Sequence, residues 1–327
     1  MNNFKKIGMT ALAASLVSTS VFAGEMSVAG SAAINWENYS GVAKNSTKSF
    51  SMGNQLTFSG SGELDNGMNV SLSFVLDQGD DSTTGLGNSP FDSHSVTISS
   101  DAMGTLKFHG EGGDSAQNAV GDTAAGNIWD NFDGKGGTTL VESRAGNNIL
   151  HYTLPSMVDG LTVAASYTPA GATDSADSAY ALTYAGFDGL SVSYGKGSND
   201  GQAAGSGGTT ADHDTTSMKV SYAIGSLTVA YSDHSNDNAT STADQEATSY
   251  KVSYTVSDAL SVTYAVEELD SNGAAELTDA EYSKVTGSYT SGGMTLSANY
   301  QEAENTNYTT AASEDMEYWG LSLAFAF

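Results

Sequence analysis

Five histidines, His94, His109, His151, His213 and His234, are the side chains best matched to proton transfer near neutral pH. His213 stands between Asp212 and Asp214, and His234 follows Asp233, so each has a carboxylate at hand to form a general-base pair. Both lie in stretches rich in Asp by composition, and no G-x-S-x-G, H-E-x-x-H or phosphate-loop spacing accompanies them. The absence of cysteine excludes thiol nucleophiles, disulfides and thiolate-held metals. The chain does not read as an enzyme.

The second chemistry is charge. Asp114, Asp122, Asp130, Asp133 and Glu142 share the segment Gly112–Gly146 with Arg144, the single arginine of the sequence. Grouped carboxylates attract cations and offer hard oxygen ligands to Ca2+ or Mg2+, although no EF-hand spacing is present and no cofactor is otherwise called for. Ile128, Trp129 and Phe132 lie mid-segment and are the apolar groups available to pin it against a wall. Over 327 residues, 38 acids face 11 bases, a net charge of −27, which excludes nucleic acid as a partner. The hydrophobic fraction, 39%, is low for a packed domain, yet 30 aromatic residues argue against disorder.

The elements that must position these groups follow from hydropathy. Met1–Ala23 has a basic start at Lys5 and Lys6, an apolar stretch, and Val21-Phe22-Ala23 before Gly24, the pattern of a cleaved export signal. That stretch is too short and too interrupted for a spanning helix. Its removal takes two of the 11 bases and moves the net charge from −27 to −29. From Gly24 to Phe327 the sequence alternates with period two, as strands with unlike faces do. Val28, Gly30, Ala32, Ile34 and Trp36 share one face; Leu56, Phe58, Gly60 and Gly62 share the next. Seven short turns, such as Asp65-Asn66-Gly67 and Ile224–Ser226, alternate with eight longer acidic loops, such as Gly197–Asp214, Asp233–Glu246, Glu268–Glu281 and Gln301–Asp315. This predicts about 16 antiparallel strands in an all-β transmembrane barrel, with short periplasmic turns and long extracellular loops.

Two tyrosine series support that layout. Tyr152, Tyr184, Tyr222, Tyr254 and Tyr289 lie on the apolar face next to short turns; Tyr167, Tyr194, Tyr231, Tyr264 and Tyr300 lie on it next to long loops. Amphipathic aromatics in two rings suit two membrane interfaces. A soluble propeller also repeats aromatics, but it needs a core that changes from blade to blade. Tyr39 is the only tyrosine before Tyr152, so the rings are missing from the first strands. Gly30, Ala32, Phe58, Gly60 and Gly62 there suit close subunit contact.

Three stretches carry a family resemblance: Asp101-Ala102-Met103-Gly104-Thr105-Leu106, Arg144–Gly160 (RAGNNILHYTLPSMVDG) and the closing Tyr318–Phe327 (YWGLSLAFAF). With the export signal and the alternation, they make the chain similar to general Gram-negative outer-membrane porins of the alphaproteobacterial type. The resemblance implies a homotrimer of 16-stranded barrels in the outer membrane, among lipid and lipopolysaccharide, each with a water-filled pore for small hydrophilic solutes. It implies a third loop, here Gly112–Gly146, folded into the barrel. It also implies that the strand ending in Phe327 is presented to the barrel-assembly machinery. Lys107, His109, Glu111, His151, Lys219, Lys251 and Lys284 fall on the polar face and are expected to line the lumen. The lone Arg144 adjoins the loop, a departure from enterobacterial relatives that oppose an acidic loop with an arginine cluster. With the excess of acids, the expected channel prefers cations. The rival readings are a substrate-specific barrel and a non-conducting structural or adhesive one.

Overall fold

The alternating segments pair edge to edge until the last meets the first. The computed structural model describes residues 26–41, 48–77, 91–132, 140–170, 176–199, 212–239, 244–271, 278–310 and 315–327. Met1–Ala23 and Asp133 lie outside them. Strands β1 (Met26–Gly41), β2 (Lys48–Glu63), β3 (Asn69–Asp77), β4 (Ser93–Ser100) and β5 (Gly104–Glu111) precede the third loop. Within that loop lie the two-residue strands β6 (Gly113–Asp114) and β7 (Ala145–Gly146). The wall resumes with β8 (Ile149–Thr153), β9 (Leu161–Thr168), β10 (Asp177–Tyr184), β11 (Leu190–Asn199) and β12 (His213–Ile224). It continues through β13 (Leu227–Asn238), β14 (Gln245–Ser257), β15 (Leu260–Ser271) and β16 (Ala280–Ser291) to β17 (Met294–Glu304) and β18 (Met316–Ala326).

Among the described residues, 16 of these strands form one closed antiparallel barrel; β6 and β7 pair separately inside it. Closure is what a bilayer demands, since hydrocarbon offers no partner to an open edge. The seam is made by β1 and β18, from Ser31 opposite Ala326 to Gly41 opposite Met316. Beyond it, Gly30 N donates to Phe327 O (2.7 Å) and Phe327 N to Gly30 O (2.9 Å). The Phe327 ring lies over Gly30, where any Cβ would collide with it.

All ten tyrosines of the two series stand on the outward face, cross-paired with apolar neighbours: Tyr152 with Leu106, Tyr184 with Val192, Tyr222 with Leu190, Tyr254 with Val262 and Tyr289 with Leu296. At the long-loop end, Tyr180, Tyr250 and Trp319 join them, with ring centroids 6.2, 5.1 and 4.4 Å from Tyr194, Tyr231 and Tyr300. Between the rings run Leu182, Val229, Val252, Val262, Val285 and Leu321, all exposed in the isolated barrel. An apolar surface of that extent belongs in lipid rather than water.

The strands are longer at the loop end than hydropathy indicates. β11 runs to Asn199, β12 begins at His213, β13 reaches Asn238 and β17 reaches Glu304. Several loops of the sequence reading are therefore strand. Above the membrane level both faces of a strand are polar, so alternation of hydropathy fades while the hydrogen-bond ladder continues.

Candidate functional site

The third loop leaves β5 at Gly112, turns inward and lies along the lumen wall. Its outgoing limb contains a 3-10 turn at Asn118–Val120 and another at Ile128–Phe132. The hydrophobic clusters of the molecule form where this loop meets the wall. Ile128 and Phe132 are fully buried, and Trp129 is 8% exposed. They pack with Leu140 of the return limb and with Ala247, Ala265, Leu269, Ala280, Tyr282, Ala303 and Met316 of the wall. Tyr39 points inward and meets the Phe132 ring edge-on at 6.5 Å. A second cluster sets Ala116 against Ala164, Ala179 and Ala181.

Small polar residues on β9, β13 and β14 fasten the loop backbone. Ala116 N donates to Ser166 Oγ (2.8 Å), Ala124 N to Ser232 Oγ (2.8 Å) and Ala125 N to Ser249 Oγ (3.2 Å). The buried Glu267 accepts from Thr123 Oγ1 (2.5 Å) and Trp129 N (3.1 Å). Asn131 Nδ2 donates to Gln301 Oε1 (3.1 Å), and Val141 N to Gln245 Oε1 (3.0 Å). Sequence reasoning missed these partners, because inward serines recur on nearly every strand and nothing in composition marks the ones that bond. Glu267 alone had a signal: its parity against outward Tyr264 and Val266 turns a carboxylate inward.

Asp114, Asp122 and Asp130 are exposed on the loop. Glu142 is largely buried near them, and burial, followed by the Asp122 and Asp114 carboxylates, pushes its pKa up to about 7. Arg144 is tied to the wall, its Nη1 3.8 Å from Oδ2 of the buried Asp177. Lys107 and His151 are direct cross-strand partners on the lumen face, and His109 is paired with Ser95 and Ile149 on the same face. Lys219, Lys251 and Lys284 stand on β12, β14 and β16 at nearly level register, through Ser232, Ala230 and Ala265. Lys219 Nζ donates to Asp122 O (3.0 Å), so this lysine row lies on the wall that carries the loop.

Glu111 is a correction. It was expected in the lumen by alternation with Lys107 and His109, but the register shifts at His94/Ser95 and pairs Glu111 with His94. His94 in turn pairs with Phe74, opposite outward Phe58. The bulge places Glu111 on the outer face, its Oε2 3.7 Å from His94 Nδ1. His213 and His234 lie on β12 and β13 rather than in loops; both are buried on the lumen side, and His234 Nδ1 meets Ser217 Oγ at 2.9 Å.

The charge excess is not concentrated in the pore. Glu246, Glu268, Asp270, Glu281, Glu302, Glu304 and Glu317 share parity with outward Tyr250, Tyr264, Val285, Tyr300 and Trp319. They form an acidic band on the outer wall above the aromatics. Among the described residues no three His or acidic side chains converge to hold a metal ion.

Comparisons with known proteins agree with this geometry. The family model for Gram-negative porins matches residues 8–327. No curated protein matches the sequence. Among solved structures, OmpF of Salmonella typhi superposes with a TM-score of 0.70 at 13% identity, covering 93% of this chain and 98% of that one. An anion-selective porin from Comamonas acidovorans gives 0.66 at 15% identity, and a Rh. blastica porin mutant 0.65 at 15%; each covers 93% of this chain and 100% of its own. The OmpT loop-deletion mutant of Vibrio cholerae gives 0.67 at 14%, with the same coverage. A closed outer-membrane barrel with a polar lumen, matched over nearly its whole length, is a channel for passive diffusion, and the chain belongs to the Gram-negative porin family.

Proposed function

We propose that this channel passes small hydrophilic solutes with a preference for cations. The observation that carries the reading is the set of exposed carboxylates Asp114, Asp122 and Asp130 on the loop held inside the barrel. Fixed charges at a constriction with low-dielectric walls bias which ions enter. Lys219, Lys251 and Lys284 moderate the preference, since they stand on the same wall. Reversal potentials across a planar bilayer in a KCl gradient test it. A cation-selective sign is expected, and an anion-selective sign overturns it. A barrel with no conductance would instead favour the structural or adhesive reading.

The proposal extends to assembly. Met1–Ala23 directs export, the strand ending in Phe327 engages the assembly machinery, and the mature protein is a homotrimer. Its subunit contact is the outward face of β1–β5, with Gly30, Ala32, Phe58, Gly60 and Gly62 in the seam between copies. The outer acidic band faces lipopolysaccharide, with Ca2+ or Mg2+ bridging carboxylate and phosphate.

A further inference from the structure

The third loop has two limbs, and one side chain joins both to the wall. The limbs meet at their base, where Gly113 and Asp114 of β6 pair with Gly146 and Ala145 of β7, and Ser115 N donates to Arg144 O (2.9 Å). One turn further in, Gln117 of the outgoing limb is 1% exposed. Its Nε2 donates to Ser217 Oγ (2.6 Å) on β12. Its Oε1 accepts from Ser143 N (3.0 Å) on the return limb and from Thr215 Oγ1 (3.1 Å) on β12. Three of the four hydrogen bonds an amide side chain can make are thereby directed to two different bodies.

The neighbouring strand is shaped to receive both limbs. On the lumen face of β11 stand Gly195 and Gly197, two residues apart. A Cβ at Gly195 would lie 2.8 Å from Val120 Cγ2 and 3.1 Å from Gln117 Cα, both on the outgoing limb. One at Gly197 would lie 2.5 Å from Ser143 Cβ, on the return limb. Neither glycine has positive φ, so backbone conformation does not require them. Glycine weakens a strand interior, and its presence marks a close approach. Here each of the two approaches belongs to a different limb.

We infer that Gln117, seated against Gly195 and bonded to the Ser143 that packs on Gly197, is a positioning residue that fixes both limbs of the loop and thereby sets the aperture of the pore. The inference rests on the channel function and is independent of ion preference. Asp114 and Asp122 ride on the outgoing limb, Glu142 and Arg144 on the return limb. Releasing Gln117 moves both sets relative to the wall. The barrel ladders do not pass through Gln117, so the effect falls on the pore rather than on the fold.

The test is Gln117→Leu, which keeps the volume and removes all three hydrogen bonds. Liposome swelling with sugars of increasing size should show the larger sugars entering several-fold faster relative to the smallest. Single-channel records should show raised, flickering conductance, while heat-modifiable gel mobility shows a folded barrel. Gln117→Glu keeps the acceptor for Ser143 N and Thr215 but loses the donor, and should restore part of the wild-type size limit. If Gln117→Leu does not fold, Gly197→Val crowds Ser143 of the return limb and the Thr215 hydroxyl while keeping the Gln117 side chain, and should widen the size limit likewise. A folded variant with wild-type size ranking and steady wild-type conductance overturns the inference. Absence of conductance in the unmodified protein would sink the channel reading itself, and an anion-selective wild type would leave this inference standing.

Discussion

Glu267 of β15 accepts the Thr123 hydroxyl at 2.5 Å across 144 positions of sequence, and the same carboxylate takes Trp129 N at 3.1 Å. A buried carboxylate with two loop donors is an attachment point, and cutting it leaves both donors unsatisfied. Each unmade buried hydrogen bond costs about 1–3 kcal/mol. Glu267→Ala is therefore expected to loosen the segment from Thr123 to Trp129 and to make single-channel current noisier. Glu267→Gln, which keeps one acceptor oxygen, should be milder. Equal and quiet traces for both variants and wild type would remove Glu267 from the loop's support.

Glu142 is expected to make the pore respond to pH near neutrality. Burial, then the Asp122 and Asp114 carboxylates, raise its pKa from 4.5 to about 7, with Asp130 adding and an Asn127 hydrogen bond opposing. Between those values the folded protein holds a proton that the unfolded chain releases, so docking of the loop is favoured at the acid end and weakens as pH rises through about 7. In function the sign is opposite: rising pH adds a negative charge to the loop and should shift selectivity toward cations. Lys219 is the base facing this group. The decisive comparison is with Glu142→Gln. Between about pH 6 and about pH 8, its reversal potential should change less than that of wild type. Identical pH dependence would exclude Glu142.

The barrel was legible because alternation and turn placement depend only on local sequence. All seven short turns lie where the glycine and aspartate clusters put them, as at Gly225 and Gly292, whose φ of 58° and 59° favour glycine. The loop anchors Ile128, Trp129 and Phe132 stood out as apolar residues in a polar stretch. What could not be read were pairings set by closure. The bulge that turns Glu111 outward depends on how β4 meets β5, and the serines that bind the loop differ from idle ones only in what lies opposite. The upper ends of the strands were invisible for a related reason, since water on both sides erases the hydropathy signal that lipid imposes.

The first strands offer a test of the proposed subunit contact. Gly60 is outward, paired with Met26 and Leu72, and a Cβ there would have only Met26 Cγ at 4.0 Å for a neighbour. Gly60→Glu therefore fits the isolated barrel and should act on the assembly, converting trimer to monomer on native gels. Val262→Glu, placed between Tyr254 and Gly287 on the far side, is the control for a charge facing lipid and should leave the trimer intact. A Gly60→Glu trimer as stable as wild type would move the interface elsewhere.

Where the charge sits decides what it does. Glu281 is paired directly with Glu268 and Glu304, and Glu302 with Glu317, like charges side by side on the outer wall. Asp279 shows the crowding: burial, then Asp270, Glu268 and Glu281, raise its pKa. Like charges directly opposite one another are destabilising, so Glu281→Gln should raise the unfolding temperature slightly when divalent ions are absent. The wall separates Glu281 from the lumen, and salt screens its charge over about 8 Å at physiological strength. The reversal potential should therefore not move. Asp122→Asn, on the exposed face of the loop, should shift it toward anions while leaving the unfolding temperature nearly unchanged. If Glu281→Gln moved the potential as far as Asp122→Asn, selectivity would come from the total charge of the molecule and not from the loop.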